Sequence, residues 1–87
     1  MWSVEWDDRA LKELRNLSKI AQSEILQYLK KRIMTNEDPR RFGKSLRGNQ
    51  KGFWRYRVGD YRLICAIEDN KFTVLIVAFG HKKSIYD

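Results

Sequence analysis

Between Trp54 and Leu63 the chain reads WRYRVGDYRL, three arginines in ten residues. Side chains alternate across an extended strand, so Arg55 and Arg57 share one side and Trp54, Tyr56 and Val58 the other. The Gly59–Asp60 pair between two such runs is a hairpin turn, which brings Arg62 opposite Arg57 or close to it. Like charges directly across a sheet repel, so three guanidiniums without acidic neighbours call for an external anion. The rigid arginine fork suits phosphate oxygens. A solvated edge that uses charge against aggregation is the alternative. The terminal GHKKSIYD adds His81, Lys82, Lys83 and Tyr86. These groups can give or take protons once neighbouring cations shift their pKa values. Taken singly, a histidine at a strand end is an ordinary hydrogen-bonded surface residue and a terminal tyrosine is ordinary packing. The candidate catalytic set is therefore a constellation: Arg55, Arg57 and Arg62, with His81 and Tyr86.

The charge around this set is concentrated. From Arg40 to Arg62, eight basic residues (Arg40, Arg41, Lys44, Arg47, Lys51, Arg55, Arg57 and Arg62) face the single acid Asp60, and this stretch carries the whole net charge of +7. Such a cluster is commonly used to attract phosphates, with binding that weakens steeply in salt. A solvated basic face or an interface for an acidic protein is the other use. Arg40, Arg41, Lys44, Arg47 and Lys51, with Lys82 and Lys83, are the expected contacts to nucleic acid. One histidine and one cysteine do not make a zinc site, and the only carboxylate cluster, in WDD, is needed as a helix cap. There is neither a glycine-rich phosphate loop nor a Ser-His-Asp signature. A nuclease built on this chain is thus expected to use side chains alone, with no metal and no cofactor. Its natural substrate is then RNA, whose 2′-hydroxyl supplies the nucleophile.

The elements that must position these groups follow from periodicity. WSVEW alternates, with Trp2, Val4 and Trp6 on one face, and reads as an opening strand. Asp7 or Asp8 caps a helix whose stripe is Ala10, Leu11, Leu14 and Leu17, and Ser18 caps a second that runs to about Met34. From Thr35 to Gly52 the period disappears into a connecting loop that holds the only proline and three of the five glycines. Three strand-like runs follow, FWRYRV, YRLICAI and FTVLIVAF, separated by GD and EDNK. The last two are nearly continuous apolar, as central strands covered on both faces would be. The expected fold is α+β: two N-terminal helices on a twisted, mainly antiparallel four-stranded sheet, with the first strand returning to pair beside a three-stranded meander. At 87 residues, residues 1–87 are expected to form one domain. The lone Cys65, inside an apolar run, excludes an internal disulfide, and no leader or membrane-spanning run is present, so a soluble cytoplasmic protein is expected, without a membrane partner.

Taken together, the helix DRALKELRNL, the loop ending in SLRG, the hairpin FWRYRVGDYRLI and the terminal FGHKKSIYD resemble the RelE branch of the RelE/ParE superfamily of toxin–antitoxin toxins. The resemblance runs through essentially the whole chain, in order. It implies the microbial-ribonuclease-like α+β toxin fold. It also implies a ribosome-dependent, metal-independent endoribonuclease that cuts mRNA in the A site by attack of the 2′-hydroxyl on the adjacent phosphate. Arg55 and Arg57 match basic residues on the first hairpin strand, one acting near the 2′-hydroxyl. Arg62 matches the arginine that holds the scissile phosphate, and Tyr86 the terminal tyrosine that orients the base. Where some members have lysines on that strand this chain has arginines, poor general bases, which moves a protonic role towards His81 or Lys82. The implied partners are the ribosome, mRNA and a cognate RelB-like antitoxin. Two other functions share the pattern: a ParE-like inhibitor of DNA gyrase with no chemistry of its own, and a plain nucleic-acid-binding module.

Overall fold

The computed structural model describes residues 1–81; Lys82, Lys83 and Tyr86, singled out from the sequence, lie outside the described residues. The chain opens with β1 (Ser3–Trp6), followed by α1 (Asp8–Arg15) and α2 (Lys19–Tyr28). The two expected caps are present. The Asp7 carboxylate accepts from the Arg9 amide, and the Ser18 hydroxyl from that of Ala21. The second helix does not run on as α-helix to Met34: its last turn, Leu29–Ile33, widens into a π-helical turn. Because a strand precedes them, the helices are not strictly N-terminal.

The loop that the periodicity left blank is ordered. A 3-10 turn at Pro39–Arg41 leads into a two-residue strand, β2 (Lys44–Ser45), and a second 3-10 turn at Gly48–Gln50 leads into the hairpin. The hairpin is β3 (Trp54–Val58) and β4 (Tyr61–Glu68), turning through Gly59–Asp60, and β5 (Thr73–His81) closes the meander. The sheet therefore has five strands, ordered β1-β5-β4-β3-β2, and is mixed rather than four-stranded: β1 pairs parallel with β5 and every other pair is antiparallel. Phe72, expected to start the last strand, instead ends the turn before it in a left-handed conformation (φ 49°) and is 58 % exposed.

Both helices lie on one face of the sheet, over a core of Ala10, Leu14, Ile25, Leu29, Ile33, Tyr56, Val58, Leu63, Cys65, Val74, Ile76 and Phe79. The central strands are therefore covered by helices on one face only: on the other, Ile64 is buried but Ala66, Leu75, Val77 and Ala78 are only half-buried. That leaves a face free of helices, and the hairpin arginines project onto it. Burial pushes the Cys65 thiol far up in pKa, so it is a packed apolar group and not a nucleophile. Among the described residues no helix is long and apolar enough to cross a membrane.

Candidate nucleic-acid interface

The register of the hairpin sets the geometry of the site. Arg57 lies directly opposite Arg62, and Arg55 directly opposite Lys44 of β2. Residues paired across a ladder project on the same side, and so do Arg55 and Arg57, two apart on one strand. Lys44, Arg55, Arg57 and Arg62 thus form one continuous group of cations on the helix-free face, built from two adjacent like-charge pairs. Each such pair costs about 0.2–1 kcal/mol relative to neutral partners. Among the described residues none of the ion pairs involves these four side chains. Ile64, opposite Arg55, is buried and gives this face an apolar floor, while Gly80, opposite Arg62, adds no side chain.

Arg62 is the most constrained of the four. It is half-buried, its Nη1 donates to the Tyr61 carbonyl at 3.3 Å, and its Nε is buried with no hydrogen-bond partner among the described residues. A guanidinium has five donors, and buried ones are ordinarily matched. Arg62 is accordingly held in place with donor capacity to spare.

The neighbouring strand β2 has almost no ladder of its own and is fixed by side chains instead. The Trp54 indole Nε1 donates to the Phe42 carbonyl at 2.6 Å, and the buried Tyr56 hydroxyl donates to the Pro39 carbonyl at 2.8 Å. Between these two anchors Gly43 crosses β3 at φ 79°, so close that a Cβ there would lie 2.2 Å from the Arg55 carbonyl oxygen. Only glycine fits both the dihedral and the approach. The result is a cavity of about 230 Å³ at the outer edge of β3, lined by Tyr28, Phe42, Gly43, Lys44, Arg55 and Arg57. Arg32, on the π-helical turn, packs over two of these rings: the guanidinium carbon lies 5.7 Å from the Tyr28 ring centre and 5.2 Å from that of Phe42. Burial raises the Tyr28 phenol above its ordinary pKa, against the smaller opposing pull of Arg32, so it is a neutral hydroxyl at pH 7. Tyr28, Arg32 and Phe42 were not among the residues singled out from sequence. At its helical spacing Tyr28 reads as an ordinary core aromatic, and nothing local ties it to a loop fourteen residues on.

Three expected members are elsewhere or otherwise engaged. His81 does not join the arginines. It pairs with Tyr61, stacks edge-on against that ring at 5.9 Å, and lies with Phe79 on the helix side of the sheet. The cause is a bulge: Ile64 pairs with Ala78 but Cys65 with Ile76, so Val77 is an extra residue in β5. Simple alternation from Val74 and Ile76 would place His81 on the open face, and one inserted residue reverses every side chain beyond it. Arg40 forms a two-pronged pair with Asp69, at 2.9 and 2.6 Å, tying the Pro39–Arg41 turn to the turn before β5. That hydrogen bond raises the pKa of Arg40 and lowers that of Asp69. Arg41 pairs with Glu37 and stacks on Phe42 at 4.9 Å. Arg40 and Arg41 therefore hold the loop, and their charges are largely balanced. Arg47 and Lys51 are exposed on the loop that leads into β3.

The chain as a whole is similar to known proteins. Residues 4–86 match the family model described as ParE toxin of type II toxin–antitoxin system, parDE. The chain is 29 % identical over 77 residues to Toxin RelE of Mycobacterium tuberculosis, covering 88 % of this chain and 77 % of that protein. It is 39 % identical over 51 residues to Toxin RelG of the same organism, a match that spans 59 % of each. Among solved structures, the RelBE2 toxin–antitoxin complex from M. tuberculosis aligns with a TM-score of 0.78 at 27 % identity, covering 92 % of this chain and 90 % of that one. The isolated Escherichia coli RelE toxin aligns at 0.72 and 23 % identity, over 93 % and 84 %, which is a likeness of fold.

Proposed function

The chain belongs to the ParE-toxin family of type II toxin–antitoxin systems and is a RelE-like toxin of the RelE/ParE superfamily; on that premise we propose that it is a ribosome-dependent endoribonuclease that cuts mRNA in the A site. The observation that carries this reading is the pair of like-charge pairs, Lys44–Arg55 and Arg57–Arg62, side by side on a face that no helix covers. A sheet gains no stability from such pairs. Four preplaced cations do stabilise the extra negative charge that develops on a phosphorane when a 2′-hydroxyl attacks the adjacent phosphate. In this reading Arg62, half-buried and fixed by the bond from its Nη1 to the Tyr61 carbonyl, holds the scissile phosphate through its guanidinium charge. Arg55 and Arg57 neutralise the non-bridging oxygens and orient the 2′-hydroxyl, and Lys44 extends the field along the strand.

Arginine hardly deprotonates, so these side chains supply charge and position rather than a general base. His81, across the sheet from them, is not offered as that base. Tyr86, Lys82 and Lys83 stay in the proposal on the family resemblance, as base-orienting and proton-transfer groups. Arg47 and Lys51 are proposed contacts to the ribosome or RNA, whereas Arg40 and Arg41 are withdrawn from that role because they are ion-paired. The complexes formed by related toxins support an antitoxin as the natural partner, whose acidic groups would cover the same cations. Residues 1–87 are proposed to act as one domain, in the cytoplasm where ribosomes are.

The test is primer extension on mRNA held by translating ribosomes, beside free RNA and an Arg62→Ala variant. New ends within A-site codons, with ribosomes only and not with the variant, support the nuclease. The matching family model carries the ParE name, so the second reading is a gyrase inhibitor. No cleavage under either condition, together with loss of gyrase supercoiling, would replace the first reading with the second.

A further inference from the structure

The cavity at the outer edge of β3 is not needed to hold a single scissile phosphate, yet its walls are fixed by several specific contacts. A loop is sewn to β3 by two side-chain hydrogen bonds, Gly43 is forced into close approach, and an arginine backs two aromatic rings. The chemistry of its walls is divided. Tyr28 and Phe42 present ring surface and one neutral hydroxyl, while Lys44, Arg55 and Arg57 present positive charge. A purely anionic ligand would use only the second wall, and a purely apolar one only the first. Its volume, about 230 Å³, falls below the roughly 300–1,000 Å³ of drug-sized sites and suits one small two-part ligand. Larger concavities run along the exposed side of α2 and between α1 and the end of β5, but neither contains an arginine.

We propose that this edge cavity is a second nucleotide subsite, which receives one RNA nucleotide flanking the cleaved phosphodiester: its base against Tyr28 and Phe42, its phosphate on Lys44, Arg55 and Arg57. The proposal rests on the nuclease reading, because Arg55 and Arg57 line both the cavity and the cationic face and so set the spacing between the two sites. Aromatic side chains hold bases of any sequence through their ring faces, and adjacent cations track the backbone. Arg32 touches no ligand in this scheme. It is a positioning residue: its guanidinium packs over both rings and holds them at the cavity wall.

The test is NMR shift mapping on the purified full chain with adenosine 3′-monophosphate, and separately with inorganic phosphate, in wild type and in Lys44→Ala, Arg32→Ala and Arg62→Ala variants. Lys44 and Arg32 are exposed, so neither substitution threatens the fold. The nucleotide is expected to shift the amides of Tyr28, Phe42 and Lys44 and to bind about tenfold more tightly than phosphate, the contribution of one base on an aromatic wall. Lys44→Ala should weaken both probes, by about five- to tenfold for the loss of one charge-assisted contact. Arg32→Ala should weaken the nucleotide and leave phosphate unchanged, which loss of charge alone would not do. Arg62→Ala should abolish cleavage and leave nucleotide binding at the edge within about twofold. Equal affinity for nucleotide and phosphate, shifts confined to the surroundings of Arg62 and Gly80, or unchanged binding in Lys44→Ala would overturn the proposal. Nucleotide binding at the edge without any ribosomal cleavage would support the subsite and refute only the nuclease reading.

Discussion

If the hairpin arginines are kept for an external phosphate, replacing one with an acid should make the protein more stable and less active. Arg57 is the position to change. It is exposed and stands directly across from Arg62, so Arg57→Glu converts a repulsive cross-strand pair into an attractive one. Removing the repulsion and adding the attraction are each worth about 0.2–1 kcal/mol. Solvent screening at an exposed position, and the lower strand preference of glutamate, reduce the total to about 0.5–1 kcal/mol. For a chain of this length that corresponds to a rise in Tm of about 2–8 °C. Arg57→Gln, which removes repulsion without adding attraction, should fall between the two. Urea unfolding followed by tryptophan fluorescence measures this directly, at low salt and at 1 M salt, where the Debye length is about 3 Å and most of the gain should vanish. The same Arg57→Glu protein should lose about 10²- to 10³-fold in ribosomal cleavage, the usual cost of one preplaced charge at a developing oxyanion. A variant that is less stable than wild type at low salt, or whose gain does not respond to salt, would refute the electrostatic reasoning. Retained cleavage would refute the functional part.

Gly43→Ala should destabilise by about 2–5 kcal/mol, from a left-handed dihedral imposed on alanine and a collision with the Arg55 carbonyl, and a denaturation midpoint will show it. Tyr56→Phe removes the hydroxyl that holds the Pro39 carbonyl and should cost about 1–2 kcal/mol, with faster hydrogen exchange in the Pro39–Ser45 segment than in β4. Arg40→Ala should leave cleavage unchanged and lower stability only where Asp69 is ionised. Because Arg40 holds the folded-state pKa of Asp69 below its ordinary value, that contribution is complete above about pH 4 and is lost as pH falls through the depressed value, so the two unfolding curves should converge in acid.

What could be read from the sequence and what could not divide along a physical line. Asp7 and Ser18 announce their helices because a cap is a local hydrogen bond, and the Arg57–Arg62 opposition follows from a two-residue turn whose register is local. The strand at Lys44–Ser45 has no alternation to reveal it, since what holds it is Trp54 and Tyr56 reaching back across the chain and a glycine that permits contact. The Arg40–Asp69 pair joins residues 29 apart, which made Arg40 look like a free cation. His81 was misplaced by the bulge at Val77, a feature that apolar residues on either side conceal. The parallel partnership of β1 with β5 depends on where two helices return the chain, which periodicity does not encode. In each case the missing information is a long-range contact.

The central claim is that the cationic face stabilises attack by the RNA's own 2′-hydroxyl. The measurement that tests it most directly is cleavage of two programmed ribosomes that differ only in the A-site codon, one all-ribose and one with single 2′-deoxy substitutions. The account predicts cutting of the ribose codon, with a 2′,3′-cyclic or 3′-phosphate on the upstream fragment, and none at a bond whose 2′-hydroxyl has been removed. Cutting at the deoxy position, or no cutting of the ribose codon by folded protein, would contradict it.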